Sequence, residues 1–177
     1  MRAFTAVDVE DDKLLKQLVE IREELNHGFN PVPREKMHLT LQFFQDLQEE
    51  DVDELVSAMK DVSTGPFSAD VKGVGVFPSR RNVRVVWAGV KSDELHELKR
   101  QVSDHRVDAD NRYDFKPHIT LARVNRISRS DRKSFRKGLE RRENSFFGEL
   151  SVEKVKLFES VQTGDGTSYR VLEGVHL

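Results

Sequence analysis

The spacing of apolar residues along the chain switches several times between a period of two and a period near 3.6, and each switch marks a change of element. Phe4 to Val9 forms a short apolar stretch that predicts a strand. Asp11 and Asp12 follow as candidate N-caps for a helix with Leu14, Leu18, Ile21 and Leu25 on one face. Past a linker holding Pro31 and Pro33, Met37-His38-Leu39-Thr40-Leu41-Gln42-Phe43 alternates strictly. That alternation places Leu39, Leu41 and Phe43 on the core face and His38, Thr40 and Gln42 on the other. Glu49, Glu50 and Asp51 suit the positive end of a second helix, whose buried face carries Val52, Leu55, Val56, Met59 and Val62. The chain from Phe67 to Phe77 then returns as extended structure.

From Val83 the order repeats. VRVVWAGV predicts a strand, Ser92 caps a helix with Leu95, Leu98 and Val102, and Pro117-His118-Ile119-Thr120-Leu121 predicts another strand. An Arg-rich helix follows, then FFGELSVEKVKLF as extended chain. The tail SYRVLEGVHL closes the series behind a Gly164-Asp165-Gly166 turn. The two HxT strands lie 80 residues apart, and Phe67/Phe77 and Phe147/Phe158 sit at similar offsets behind them. An internal duplication accounts for this most simply, with repeats of about 1–80 and 81–177 in one bilobal domain. The expected fold is α+β, with two pseudo-symmetric lobes from a duplicated β-α-β-α-β unit. Its sheets are mainly antiparallel and line a central cleft, and its helices lie outside.

Composition narrows the chemistry. A chain of 177 residues, 37% hydrophobic and 34% charged, can bury one real core and is neither disordered nor fibrous. No apolar run approaches the roughly 20 residues that span a bilayer, and the N-terminus turns acidic where a secretory signal would be apolar, so the cytoplasm is the expected location. The absence of cysteine removes thiolate nucleophiles, disulfides and cysteine metal sites. The net charge of -2 hides a basic stretch from Arg123 to Arg142, with nine Lys or Arg against Asp131 and Glu140. Such a run either attracts phosphate or is a solvated helix face.

The two HxT strands carry the candidate chemistry. On each, an imidazole and a hydroxyl share the face opposite the apolar side chains. Opening a cyclic phosphodiester needs a base to take a proton from water and an acid to give one to the departing oxygen, on opposite sides of phosphorus. Two histidines, with ordinary pKa values of about 6.5, can divide that work, and a pseudo-two-fold axis would oppose them. Thr40 and Thr120 can donate hydrogen bonds to the non-bridging oxygens. The other histidines, His27, His96, His105 and His176, lack this setting. No GxxxxGK loop, Lys-x-Asp-Gly stretch or zinc-ligand spacing occurs, so no cofactor and no metal is expected.

MHLTLQFF and PHITLARV, with GVGVFPSRRNVRVVWAGV between them, resemble the two-histidine phosphoesterase superfamily, and within it the RNA 2',3'-cyclic phosphodiesterase family, also named 2'-5' RNA ligase. The resemblance implies a cleft that opens RNA 2',3'-cyclic phosphate ends to 2'-phosphates, tRNA fragments among its substrates. It also implies a reversible, ATP-independent joining through 2'-5' linkages. His38 and His118 map onto the catalytic pair, Thr40, Thr120 and Arg123 onto phosphate binding. By the same resemblance His38 is the acid and His118 the base. In an unbroken strand Arg123 would face away from His118, so it reaches phosphate only if the strand ends or bulges near Ala122. A monomer without an obligate protein partner or membrane contact is expected. Other cyclic or 2'-5' phosphodiesters, such as an ADP-ribose cyclic phosphate or 2'-5' oligoadenylate, and a non-catalytic RNA-binding role remain as alternatives.

Overall fold

The computed structural model describes residues 1–177. The chain runs β1 (Ala3–Asp8), α1 (Asp12–Glu24), β2 (Asn30–Pro31), β3 (His38–Phe44), α2 (Val52–Lys60), β4 (Phe67–Pro78), β5 (Val83–Lys91), α3 (Asp93–Val102), β6 (His118–Arg123), α4 (Arg132–Arg142), β7 (Phe146–Val152), β8 (Lys154–Thr163) and β9 (Gly166–His176). Asp11 caps α1 as its position suggests, its carboxylate accepting the Leu14 N–H at 2.7 Å. Ser92 stands at the N-cap of α3 in extended conformation, but its hydroxyl donates to the Glu94 carboxylate instead of capping the backbone.

Every strand pairing is antiparallel, and the order across the sheet is β7, β4, β5, β6, β3, β1, β8, β9, with the short β2 on β6. Two four-strand lobes, β7-β4-β5-β6 and β3-β1-β8-β9, meet where β3 and β6 share one residue pair, Leu39 with Ile119. The Pro31 region is therefore more than a linker. Asn30 and Pro31 pair with Arg123 and Ala122 and add a second tie between the halves of the chain.

The lobes do not coincide with the two halves of the sequence. β4 comes from the first half yet lies between β5 and β7, because only residues 79–82 separate it from β5 and so short a connection makes a hairpin. β8 comes from the second half yet pairs with β1. FFGELSVEKVKLF, which looks like one extended stretch, divides at Glu153 into β7 on one lobe and β8 on the other. One lobe thus holds a single strand from the first half, β4, and the other holds two from the second, β8 and β9.

The main core lies between the sheet and the helices. Leu14, Leu18, Ile21 and Leu25 belong to it, as do Leu55 and Met59 of α2, Leu95 and Leu98 of α3, and Phe135 and Leu139 of α4. Leu39, Leu41, Ile119 and Leu121 meet them from the sheet. Burying a leucine or isoleucine of this kind stabilises the fold by about 1.5–3 kcal/mol, which fixes the faces of β3 and β6. A separate small cluster of Phe4, Ala6 and Phe158, with Tyr169 packed on it, supports the first histidine.

Candidate active site

The one residue pair that joins the lobes also gathers the candidate residues. His38 and Thr40 flank Leu39, and His118 and Thr120 flank Ile119. Since Leu39 and Ile119 point into the core, the two imidazoles and two hydroxyls stand on the opposite face around the same junction. All four are partly exposed. The histidines are close enough for the charge on His118 to act on His38, and that of Arg123 acts on both.

Each ring is held in the same way. His38 Nδ1 donates to the Lys36 carbonyl at 2.7 Å, and His118 Nδ1 donates to the Lys116 carbonyl at 2.6 Å. A carbonyl only accepts, so Nδ1 carries the hydrogen and the neutral ring keeps its lone pair on Nε2. Aromatic side chains set the plane of each ring. Phe4 stacks on His38 at 4.9 Å and Tyr169 meets its edge at 5.5 Å, while Phe77 stands edge-on to His118 at 4.9 Å beside Trp87 at 6.1 Å. Gly75 makes room for that indole, because a β-carbon there would lie 2.2 Å from the Trp87 ring.

A strict period of two misplaces two residues of β3. Opposite β1, the register skips Leu41, so Leu41 and Gln42 both turn inward. Gln42 is 6% exposed, and its side-chain carbonyl accepts from Ser103 and His105. Phe43 is 44% exposed, the reverse of the faces that alternation assigns. β6 has the matching irregularity at Leu121: Trp87 pairs with Thr120 but Val86 with Ala122. Leu121 and Ala122 are both buried, which returns Arg123 to the face of His118 and Thr120. The bulge that Arg123 requires is present, and Phe43 holds the equivalent position in the other lobe.

Burial is the largest influence on both imidazoles and pushes their pKa values down, against the upward pull of the Lys36 and Lys116 carbonyls. The nearby charges differ. Asp8 favours the protonated form of His38 and Lys116 disfavours protonation of His118, while Arg123 disfavours protonation of both. With both values below about 6.5, the free protein at neutral pH is short of the protonated ring and not of the neutral one. The bell-shaped profile of kcat/KM is therefore expected to peak on the acid side of 6.5 and to fall as pH rises through the lowered pKa of the acid. A bound phosphate anion favours the imidazolium, so the alkaline limb of kcat should lie at higher pH. A pH series on a cyclic mononucleotide checks this, and kcat/KM still rising from pH 7 to 8 would contradict it.

The main-chain carbonyls that fix the rings leave no mark in the sequence, since any residue two before each histidine would supply one, and the aromatic bed under each motif is gathered from separate strands by the fold. Among the remaining histidines, His105 bonds Gln42 and His27 sits beside Phe29 and Phe135, so both serve packing. No three His, Asp or Glu side chains cluster as metal ligands. No helix is long and apolar enough to cross a membrane.

Comparison with known proteins points the same way. The family described as "LigT like Phosphoesterase" matches residues 7–87 and again residues 89–169. The chain is 34% identical to an Archaeoglobus fulgidus "RNA 2',3'-cyclic phosphodiesterase" over 97% of its length and 98% of that protein. It is 26% identical to the protein of the same name from Methanocaldococcus jannaschii, over 98% of this chain and 99% of the relative. Among solved structures it is similar to TT0787 of Thermus thermophilus, with a TM-score of 0.82, 28% identity and coverage of 100% and 98% of the two chains. The fold also matches E. coli LigT complexed with phosphate, with a TM-score of 0.70, 22% identity and coverage of 99% and 96%.

Proposed function

The chain belongs to the LigT-like phosphoesterase family, and from that premise we propose that it hydrolyses RNA 2',3'-cyclic phosphate ends to 2'-phosphates by two-histidine acid and base catalysis. The observation that carries the reading is the matched anchoring of His38 and His118. Both spend Nδ1 on a backbone carbonyl and keep Nε2 free at the junction of the lobes.

In this reading His118 Nε2 takes a proton from water as its oxygen forms a bond to phosphorus. The bond from phosphorus to the ribose 3'-oxygen breaks in line, and His38 Nε2 gives its proton to that oxygen. One proton is taken and one is given, so the pair regains its starting state by exchange with solvent. Asp8 beside His38 and Lys116 beside His118 suit this division. The hydroxyls of Thr40 and Thr120 donate to the non-bridging oxygens, and Arg123 balances their charge. Two of the relatives matched over nearly their whole length carry the name RNA 2',3'-cyclic phosphodiesterase, which supports RNA as the substrate. Each chain holds both HxT strands, so a monomer suffices.

The test is an EDTA-treated assay with a 2',3'-cyclic mononucleotide and a cyclic-ended oligonucleotide. Undiminished activity and a product phosphorylated on the 2'-oxygen are expected. A 3'-phosphate product, or activity abolished by the chelator and restored by a metal ion, would overturn the mechanism.

A further inference from the structure

The basic stretch from Arg123 to Arg142 is not one surface. Phe135 and Leu139 anchor α4 in the core, and this orientation sends its cations two ways. Arg132 and Arg136 turn toward the β4–β5 hairpin, whereas Lys133, Lys137 and Arg141 line a separate outer surface. The hairpin supplies Arg80, Arg81 and Arg84, a second basic segment some 50 residues away in sequence. With Arg126 from the turn after β6, the two segments enclose a groove of about 710 Å³.

The cations of this groove are poorly neutralised. Arg80 approaches Glu143 at 3.7 Å, and Arg84 donates to the Asn125 carbonyl at 3.1 Å. Arg81, Arg126, Arg132 and Arg136 have no carboxylate within 4.0 Å. Elsewhere arginines do find partners: Arg34 with Asp12, Arg100 with Glu97, Arg112 with Asp110, Arg142 with Glu24 and Arg170 with Glu159. A concave site lined by unmatched guanidinium groups repels itself and concentrates polyanions.

Its place relative to the junction suggests which polyanion. The Val124 N–H donates to the Arg84 carbonyl at 2.8 Å, and Val85 pairs with Arg123, so the groove begins beside the strand end that carries Arg123. At about 3.3 Å per residue β6 covers roughly 17 Å from His118 to Arg123, so an RNA strand that leaves the junction past Arg123 comes next to the Arg84 and Arg126 end of the groove. We propose that this groove holds the backbone phosphates of the RNA strand on the 5' side of its cyclic end, and so makes the protein prefer oligonucleotides to mononucleotides. The proposal rests on the RNA reading of the junction and adds a second site to it.

Two charge-reversal pairs test it. Arg81→Glu with Arg132→Glu removes two groove cations, and Lys133→Glu with Lys137→Glu makes the same change in net charge on the outer face of α4. For each, hydrolysis of a cyclic-ended dodecamer and of a 2',3'-cyclic mononucleotide is measured at several salt concentrations, and anisotropy reports binding of an uncleavable RNA dodecamer. The groove pair is expected to lose on the order of tenfold or more in dodecamer kcat/KM and affinity, with a shallower salt dependence, while its mononucleotide rate stays near wild type. The outer pair should stay close to wild type on the dodecamer. Equal losses from both pairs, unchanged dodecamer binding in the groove pair, or equally tight capture of an acidic peptide would overturn the groove. A wild-type protein that opens neither cyclic substrate would instead overturn the reading of the junction, and the anisotropy would still judge the groove.

Discussion

His38→Ala and His118→Ala each lose on the order of a hundred-fold or more in kcat/KM on a cyclic-ended RNA, because each removes a whole proton-transfer partner. The double variant is expected to fall little further than the worse single one, as groups that act as a unit are not additive. Thr40→Ala and Thr120→Ala lose roughly tenfold each, since one hydrogen bond to a charged oxygen goes while both proton transfers remain. Circular dichroism and thermal melting separate these effects from unfolding, a needed control for His38, whose ring packs against Phe4 and Tyr169. Near wild-type hydrolysis by either histidine variant would end the paired mechanism. A threonine variant as inactive as these, yet folded, would mean that the hydroxyls do more than bind phosphate.

What could be read from the sequence was whatever repeats locally. His38-Leu39-Thr40 and His118-Ile119-Thr120 alternate cleanly because each lies on the regular part of its strand, so the burial of Leu39 and Ile119 fixes the outward pair. The readable pattern ends at the bulges. One extra residue at Leu41 reverses Gln42 and Phe43, and one at Leu121 brings Arg123 around. Neither leaves a mark in composition, because Leu-Gln-Phe and Leu-Ala-Arg suit a regular strand equally well. Strand exchange was legible in one half only: the short connection of residues 79–82 makes β4 a hairpin with β5, but nothing local shows that β8 crosses to pair with β1. The groove was hidden likewise, since Arg80, Arg81 and Arg84 become neighbours of Arg132 and Arg136 only once the hairpin folds over α4.

Substituting sulfur for the 3'-oxygen of the cyclic phosphate restores His38→Ala to within about tenfold of the wild type on the same substrate and leaves His118→Ala on the order of a hundred-fold down. The halves are so alike that geometry alone does not say which ring is the acid, and the assignment of that role to His38 leans on the charges around the two rings. Asp8 lies near His38 and favours a proton there, Lys116 opposes one on His118, and Arg123 opposes one on either ring. Lys116 is held over the Trp87 ring at 4.8 Å, so its charge stays beside the second motif. A departing ribose alkoxide is strongly basic and needs a proton, which in the proposed mechanism comes from His38. A thiolate, whose conjugate acid has a pKa of about 8.5, leaves without it. Water still has to lose a proton as it attacks, whatever atom departs, so the variant lacking the base gains nothing from sulfur. Rescue of His118→Ala in place of His38→Ala would exchange the two roles while keeping the pair. Rescue of neither would mean that the loss in these variants is not one of leaving-group protonation, and the acid would then have to be sought among the groups that hold the phosphate.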